Sequence, residues 1–92
     1  MISREDRDAI IELAEAYGVK RILLFGSAAL PSATTARDID LGVEGINSHI
    51  YFTFYGDLMM RLSKPVDLID LDTQSLFASL VRRDGVTLYA QS

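Results

Sequence analysis

Five small or acidic residues at the ends of short apolar runs stand where a small domain can carry out chemistry. Gly26 and Ser27 close the run ILLF, and Asp38 and Asp40 flank one isoleucine after ten further residues. Asp67 lies near the start of the next apolar run, VDLIDL. Because alternate residues of a strand point to the same face, Asp38 and Asp40 share one side. The pattern predicts three carboxylates beside a Gly-Ser pair, provided that the strands carrying them are neighbours.

Carboxylates gathered in this way would repel one another and raise each other's pKa. A divalent cation removes that repulsion, and oxygen ligands favour Mg²⁺ or Mn²⁺. The lack of cysteine and the single histidine count against zinc. Mg²⁺ commonly sits on one or two carboxylates with substrate phosphates completing its shell, and two such ions about 3.5 to 4 Å apart stabilise an in-line phosphoryl displacement. These residues therefore predict a magnesium and nucleotide site.

Gly26 and Ser27 fit the phosphate side of such a site. A glycine at the end of a strand lets the backbone approach a phosphate closely, and the amides that open the next helix can donate to it. Each motif alone has a simpler explanation, since Gly-Ser is most often a turn and Asp-Ile-Asp is most often a solvated strand edge. Their combination, on adjoining strands with a linker of set length, favours the nucleotide site.

The elements that must position these residues follow from the apolar pattern and from helix end signals. Helical spacing predicts a first helix capped by Ser3 and ended by Gly18, a second over residues 47–63 capped by Asn47 or Ser48, and a third over residues 73–83. Apolar runs predict strands over residues 19–26, 38–45 and 64–72, with a last strand or sheet-packed tail over residues 85–89. A short helical turn and then a loop are predicted for residues 27–37.

The second helix connects the second and third strands. A crossover of that length predicts that the two strands are parallel and that the connection is right-handed. Asp38, Asp40 and Asp67 would then lie at matching ends of neighbouring strands.

Length and composition restrict the remaining possibilities. Ninety-two residues, 49% hydrophobic and 24% charged, suit one globular domain over residues 1–92. A net charge of −4 without a basic run argues against direct nucleic-acid binding. No apolar run approaches the roughly 20 residues that span a bilayer, and the N-terminus lacks the apolar core of a signal peptide. We therefore expect a cytoplasmic domain without membrane contact that gains stability as a homo- or hetero-oligomer.

The motif "GS", ten residues, then "DID" resembles the signature of the DNA polymerase beta-like nucleotidyltransferase superfamily. With "FGS", "VDLIDLD" and the closing "LVRRDGVTLYA", nearly the whole chain is similar to the minimal nucleotidyltransferase (MNT) subgroup. The resemblance implies an α/β (α+β) fold with a small mixed sheet and helices packed mainly on one face. It also implies that Asp38, Asp40 and Asp67 act as catalytic metal ligands for two Mg²⁺ ions, with Gly26 and Ser27 holding the nucleotide phosphates.

Asp70 and Asp72 are the rivals of Asp67 for the third carboxylate. In the predicted strand Asp70 faces the side opposite to Asp67, and Asp72 lies at the far end. Both positions favour Asp67.

Minimal nucleotidyltransferases are similar to the antitoxins of toxin–antitoxin systems whose partners are HEPN-domain ribonucleases. The activity implied is transfer of AMP from ATP to a tyrosine hydroxyl of the toxin. This chain departs from the usual pattern, because Ala28 replaces the arginine that commonly follows Gly-Ser and Arg37 replaces a serine before the aspartates. Arg37 would either supply the missing cation or pair with Asp38.

Two other functions stay open. A non-catalytic antitoxin that neutralises the toxin by covering it is favoured by the missing arginine. A nucleotidyltransferase for a small molecule is disfavoured by the size of the chain.

The second helix carries more apolar residues than one buried face requires. Ile50, Phe54, Leu58 and Leu62 recur at four-residue intervals and are predicted to face inward. Tyr51, Tyr55 and Met59 form an adjoining stripe, and exposed apolar patches of this kind usually mark interaction sites. We therefore predict that Tyr55 and Met59 contact the toxin or a second copy of the chain.

Overall fold

The computed structural model describes residues 2–26 and 37–91, which form three helices and one four-stranded sheet. In chain order the elements are α1 (Arg4–Tyr17), β1 (Arg21–Phe25), β2 (Ile39–Glu44), α2 (Tyr51–Arg61), β3 (Val66–Asp70), α3 (Leu76–Asp84) and β4 (Val86–Ala90). None of the helices within these ranges is long and apolar enough to cross a membrane.

Helix α1 begins and ends where its capping residues predict. The Ser3 side chain accepts a hydrogen bond of 3.1 Å from the backbone N–H of Asp6, which satisfies one of the free donors at the helix start. Gly18 ends the helix in the left-handed conformation with φ of 68°, which costs glycine little because it has no Cβ.

The sheet has the strand order β3-β2-β1-β4 and is mixed. Strand β1 pairs antiparallel with β2 on one side and with β4 on the other. Strands β2 and β3 are parallel, as the connecting helix predicts, and their register places Asp40 opposite Asp67. The last segment is therefore a true strand at one edge of the sheet, and β3 forms the other edge.

Alternating residues of the strands face two separate apolar clusters. The larger cluster packs the sheet against α1 and α2 and includes Ile10, Leu13, Ile22, Leu24, Ile39, Leu41, Val43, Phe54, Leu58 and Leu68. On the opposite face, Leu23 and Leu71 pack against Ala78 and Val81 of α3. The helices thus lie mainly on one face, as expected, while α3 covers part of the other.

The starts of α2 and α3 differ from the predictions. The Asn47 side chain accepts a hydrogen bond from the backbone N–H of His49 at 2.9 Å and so stabilises a turn, and α2 begins only after Ile50. Neither Asn47 nor Ser48 is its cap, because the N-cap is Ile50, without a side-chain hydrogen bond. Helix α3 begins after Ser75, whose hydroxyl accepts from Ala78 N–H at 3.0 Å.

The apolar residues of α2 divide differently from the predicted stripes. Phe54, Leu58 and Leu62 are buried as predicted, whereas Ile50 is only half-buried. Tyr51 and Tyr55 are half-buried and pack against the main core, so this stripe is less exposed than a separate surface patch would be. Met59 is exposed, together with Phe52 and Met60. Whether Tyr55 and Met59 contact a partner stays a prediction.

Candidate active site

The central pair of the candidate site is Asp40 of β2 and Asp67 of β3. The two are register partners in the parallel ladder, and the alternation of the strands turns both away from the buried side chains of Ile39 and Leu41. Asp38 lies immediately before β2. The structure therefore brings together the three carboxylates that the sequence singles out.

The electrostatics of Asp40 reflect both its partial burial and its neighbouring carboxylates. Partial burial raises the pKa of Asp40, and the nearby charges of Asp67 and Asp38 raise it further. Each factor disfavours a negative charge at Asp40. A bound cation would remove the repulsion, so the donor set suits a hard divalent ion.

Gly26 lies against Asp40 and is the residue that immediately follows β1. Its φ is +70°, and a Cβ at this position would overlap Oδ2 of Asp40 and stand 3.2 Å from its Cγ. Glycine is therefore needed here both for its backbone conformation and for the close approach of the two strands. This close contact places the Gly26 backbone beside the carboxylate cluster, where the predicted phosphate side of the site would lie.

Ser27, the other predicted phosphate-binding residue, lies outside the described residues. Ala28 also lies outside the described residues, as do the turn and loop predicted for residues 27–37 up to residue 36. Arg37 is the one residue of that segment that the structure describes. Arg37 is exposed, and within the described ranges it forms no ion pair with Asp38.

The two rivals of Asp67 make backbone contacts at the far end of the strand. Asp72 accepts a hydrogen bond of 2.9 Å from Gly45 N–H, and Asp70 accepts one of 2.9 Å from Asp72 N–H. These contacts brace the ends of β2 and β3 and give both carboxylates a structural role. They support Asp67 as the third carboxylate of the site.

The side chains do not by themselves complete a metal-binding group. Across residues 2–26 and 37–91, no three histidine or acidic side chains are arranged so that they could hold a metal ion. Mg²⁺ is typically held by one or two carboxylates and completed by water and substrate phosphates. Asp40 and Asp67, with Asp38 beside them, fit a Mg²⁺ site in which water and substrate phosphates supply the other ligands. They do not fit a site made of protein ligands alone.

Comparison with known proteins identifies the family. Residues 8–92 match the family model described as Polymerase beta, Nucleotidyltransferase. The chain belongs to this family. A search of curated proteins found no significant match.

Several solved structures with the same fold belong to toxin–antitoxin pairs. The MntA–HepT pair contains a chain that superposes with a TM-score of 0.72 at 23% identity, over 97% of this nucleotidyltransferase domain and 74% of that chain. A toxin–antitoxin structure with AMP-PNP gives 0.74 at 26% identity, over 94% and 74%. The MNT antitoxin in complex with tri-AMPylated HEPN toxin from Shewanella oneidensis gives 0.70 at 24% identity, over 94% and 71%.

One feature beside the site was missed by sequence reasoning. An open cavity of about 290 Å³ adjoins Gly26 and is lined largely by apolar side chains, among them Phe25, Leu80, Val81 and Val86. These residues come from β1, α3 and β4, and the pairing of β4 with β1 together with the packing of α3 on β1 brings them together. No local sequence pattern carries that information.

Proposed function

We propose that this nucleotidyltransferase domain transfers AMP from ATP to a tyrosine hydroxyl of a partner HEPN-type toxin and so acts as its antitoxin. The observation that carries this function is the register pair Asp40 and Asp67, held beside Gly26, with the pKa of Asp40 raised by burial and by the neighbouring carboxylates. A structural relative at 26% identity is a toxin–antitoxin structure with AMP-PNP, which supports ATP as the nucleotide.

In this function Asp38, Asp40 and Asp67 would hold two Mg²⁺ ions, and Gly26 with Ser27 would hold the phosphates of ATP. Bound metal supplies charge neutralisation for the phosphates during the displacement. The acceptor oxygen forms a bond to the α-phosphorus while the bond from that phosphorus to the bridging oxygen breaks, and pyrophosphate leaves. A carboxylate of the site takes the proton of the hydroxyl.

The HEPN toxin as acceptor is supported by the tri-AMPylated toxin in the Shewanella oneidensis complex, whose antitoxin has the same fold. Antitoxin and toxin would meet in the cytoplasm, where ATP is abundant. The antitoxin would work as one partner of a hetero-oligomer, and an additional self-association is compatible with this function.

A second candidate function is neutralisation by covering the toxin without catalysis. It is favoured by Ala28, which stands where the family commonly has an arginine after Gly-Ser, because loss of a cation weakens binding of a triphosphate. The exposed apolar side chains of Phe52, Met59 and Met60 would give such an antitoxin a contact surface.

Intact-mass measurement separates the two candidates. A HEPN-type toxin is incubated with ATP, Mg²⁺ and either the wild-type chain or the double variant Asp38→Asn with Asp40→Asn. Nucleotidyl transfer predicts added AMP masses on the toxin with the wild type alone. Neutralisation of the toxin by the double variant, with no mass added in any reaction, would decide for covering.

A further inference from the structure

The third carboxylate of the site lies on a strand that has only one neighbour. Strand β2, which carries Asp40, is paired on both sides, whereas β3, which carries Asp67, lies at the edge of the sheet. The outward backbone groups of an edge strand have no partner strand. The strand that carries Asp67 is thus held by the sheet from one side only.

The hydrogen bonds at the two ends of β3 show which of its carbonyls point outward. The Pro65 carbonyl accepts from Ile39 N–H at 2.8 Å, and Leu71 N–H donates to the Val43 carbonyl at 2.8 Å, so odd-numbered residues face β2. Because successive residues of a strand point their backbone groups to opposite sides, the carbonyls of Val66 and Leu68 face the open edge. These two carbonyls flank Asp67.

Two tyrosine hydroxyls of α2 bind these outward carbonyls. Tyr55 donates to the Val66 carbonyl at 3.0 Å, and Tyr51 donates to the Leu68 carbonyl at 2.7 Å. The two residues are about one helical turn apart, and their rings contact edge to face with centroids separated by 6.2 Å. Helix α2 is therefore hydrogen-bonded to β3 at the residues immediately before and after Asp67.

We propose that Tyr51 and Tyr55 are positioning residues that hold the backbone on either side of Asp67, and thereby keep its carboxylate beside Asp40 for the nucleotidyl transfer proposed above. Mutual repulsion of the carboxylates pushes Asp67 outward, toward the side on which β3 has no neighbouring strand. The two hydroxyls oppose that displacement without contacting substrate or metal.

The hydroxyl groups are separable from the packing of the two rings. Phenylalanine has the same ring and would fill the same space against the core, so packing alone does not require an oxygen at either position. Burial and the nearby Tyr55, Asp70 and Asp67 raise the pKa of Tyr51, so its hydroxyl stays protonated and remains a donor. The chain also offers a matched control, since Tyr17 donates its hydroxyl to Asp57 of α2 and not to a carbonyl of β3.

The test uses Mn²⁺ as the probe in the presence of AMP-PNP, with binding followed by the electron paramagnetic resonance signal of free Mn²⁺. The double variant Tyr51→Phe with Tyr55→Phe is expected to bind Mn²⁺ about three- to tenfold more weakly than the wild type, the range typical of lost supporting hydrogen bonds. Tyr17→Phe is expected to leave Mn²⁺ binding unchanged while lowering the melting temperature at least as much as the double variant does.

Unchanged Mn²⁺ binding in the double variant, or equal weakening by Tyr17→Phe, would overturn the positioning role. Toxin mass, measured in parallel with Mg²⁺ and ATP, reports separately on the proposed function. A wild-type chain that binds Mn²⁺ and AMP-PNP but adds no AMP contradicts the proposed transfer, and the two tyrosines are then still judged on Mn²⁺ binding. A wild-type chain that binds no Mn²⁺ overturns both.

Discussion

Asp40 and Asp67 are register partners on the parallel strands β2 and β3, and the charge of Asp67 adds to burial in raising the pKa of Asp40. A folded protein that raises the pKa of a carboxyl above the ordinary value of 3.8 holds its proton more tightly than the unfolded chain does. This proton stabilises the folded state fully when the pH is below the pKa of Asp40 in the unfolded chain. The stabilisation is lost as the pH rises through the pKa of Asp40 in the folded protein. At neutral pH an ionised Asp40 therefore costs stability.

Asp40→Asn should raise the melting temperature at neutral pH in the absence of divalent cations, because it removes the repulsion within the cluster. The increase should shrink as the pH falls, since Asp40 of the wild type then becomes protonated. Thermal melting from about pH 3 to about pH 8 checks the sign. Asp8→Asn, on the exposed side of α1, is the control and should leave the pH profile unchanged. A lower melting temperature for Asp40→Asn at neutral pH would contradict the repulsion.

Mg²⁺ together with ATP should raise the melting temperature of the wild-type chain, because ligands that bind only the folded state stabilise it. Asp38→Asn with Asp40→Asn should abolish this increase by removing two of the three carboxylates. An equal increase in the double variant would show that ATP binds elsewhere. Asp72→Asn is the matched control, since its carboxylate accepts from Gly45 N–H and lies outside the cluster.

Gly26→Ala should destabilise the fold and abolish the increase produced by Mg²⁺ and ATP. Gly26 and Gly18 have nearly the same φ, +70° and +68°, but a Cβ overlaps the Asp40 carboxylate only at Gly26 and meets nothing within 4 Å at Gly18. Gly18→Ala therefore measures the conformational cost alone, about 1 kcal/mol, and should leave the ATP effect intact. Equal losses of stability and of ATP binding in the two variants would contradict the contact with Asp40.

The strands that carry the carboxylates could be predicted because their signals are local. Alternation of Asp38 and Asp40 with buried apolar residues identifies a strand face, and a helix between two strands predicts their parallel pairing. The start of α2 was missed because Asn47 can cap either a helix or a turn, and here it accepts from His49 N–H. In the same way the packing of Tyr55 against the core could not be predicted, because periodicity gives a direction around a helix but not the acceptor, Val66 O, that its hydroxyl meets.

The exposed apolar surface of α2 gives the last prediction. Phe52 is 79% exposed and Met60 is 86% exposed, so neither contributes to the core that Leu58 occupies. Replacing both by serine should change the free energy of unfolding by no more than about 0.5 kcal/mol, whereas Leu58→Ala should cost about 2 to 5 kcal/mol.

If this face binds the toxin, the Phe52 and Met60 double variant should lose affinity by roughly 2 kcal/mol, the cost of removing central interface residues. The control is Leu76→Ser on α3, because Leu76 is 78% exposed but lies on a different helix. The affinity of each variant for the toxin is measured. Loss of affinity in Leu76→Ser alone would move the toxin contact from α2 to α3, and thermal melting of each variant verifies that the domain remains folded.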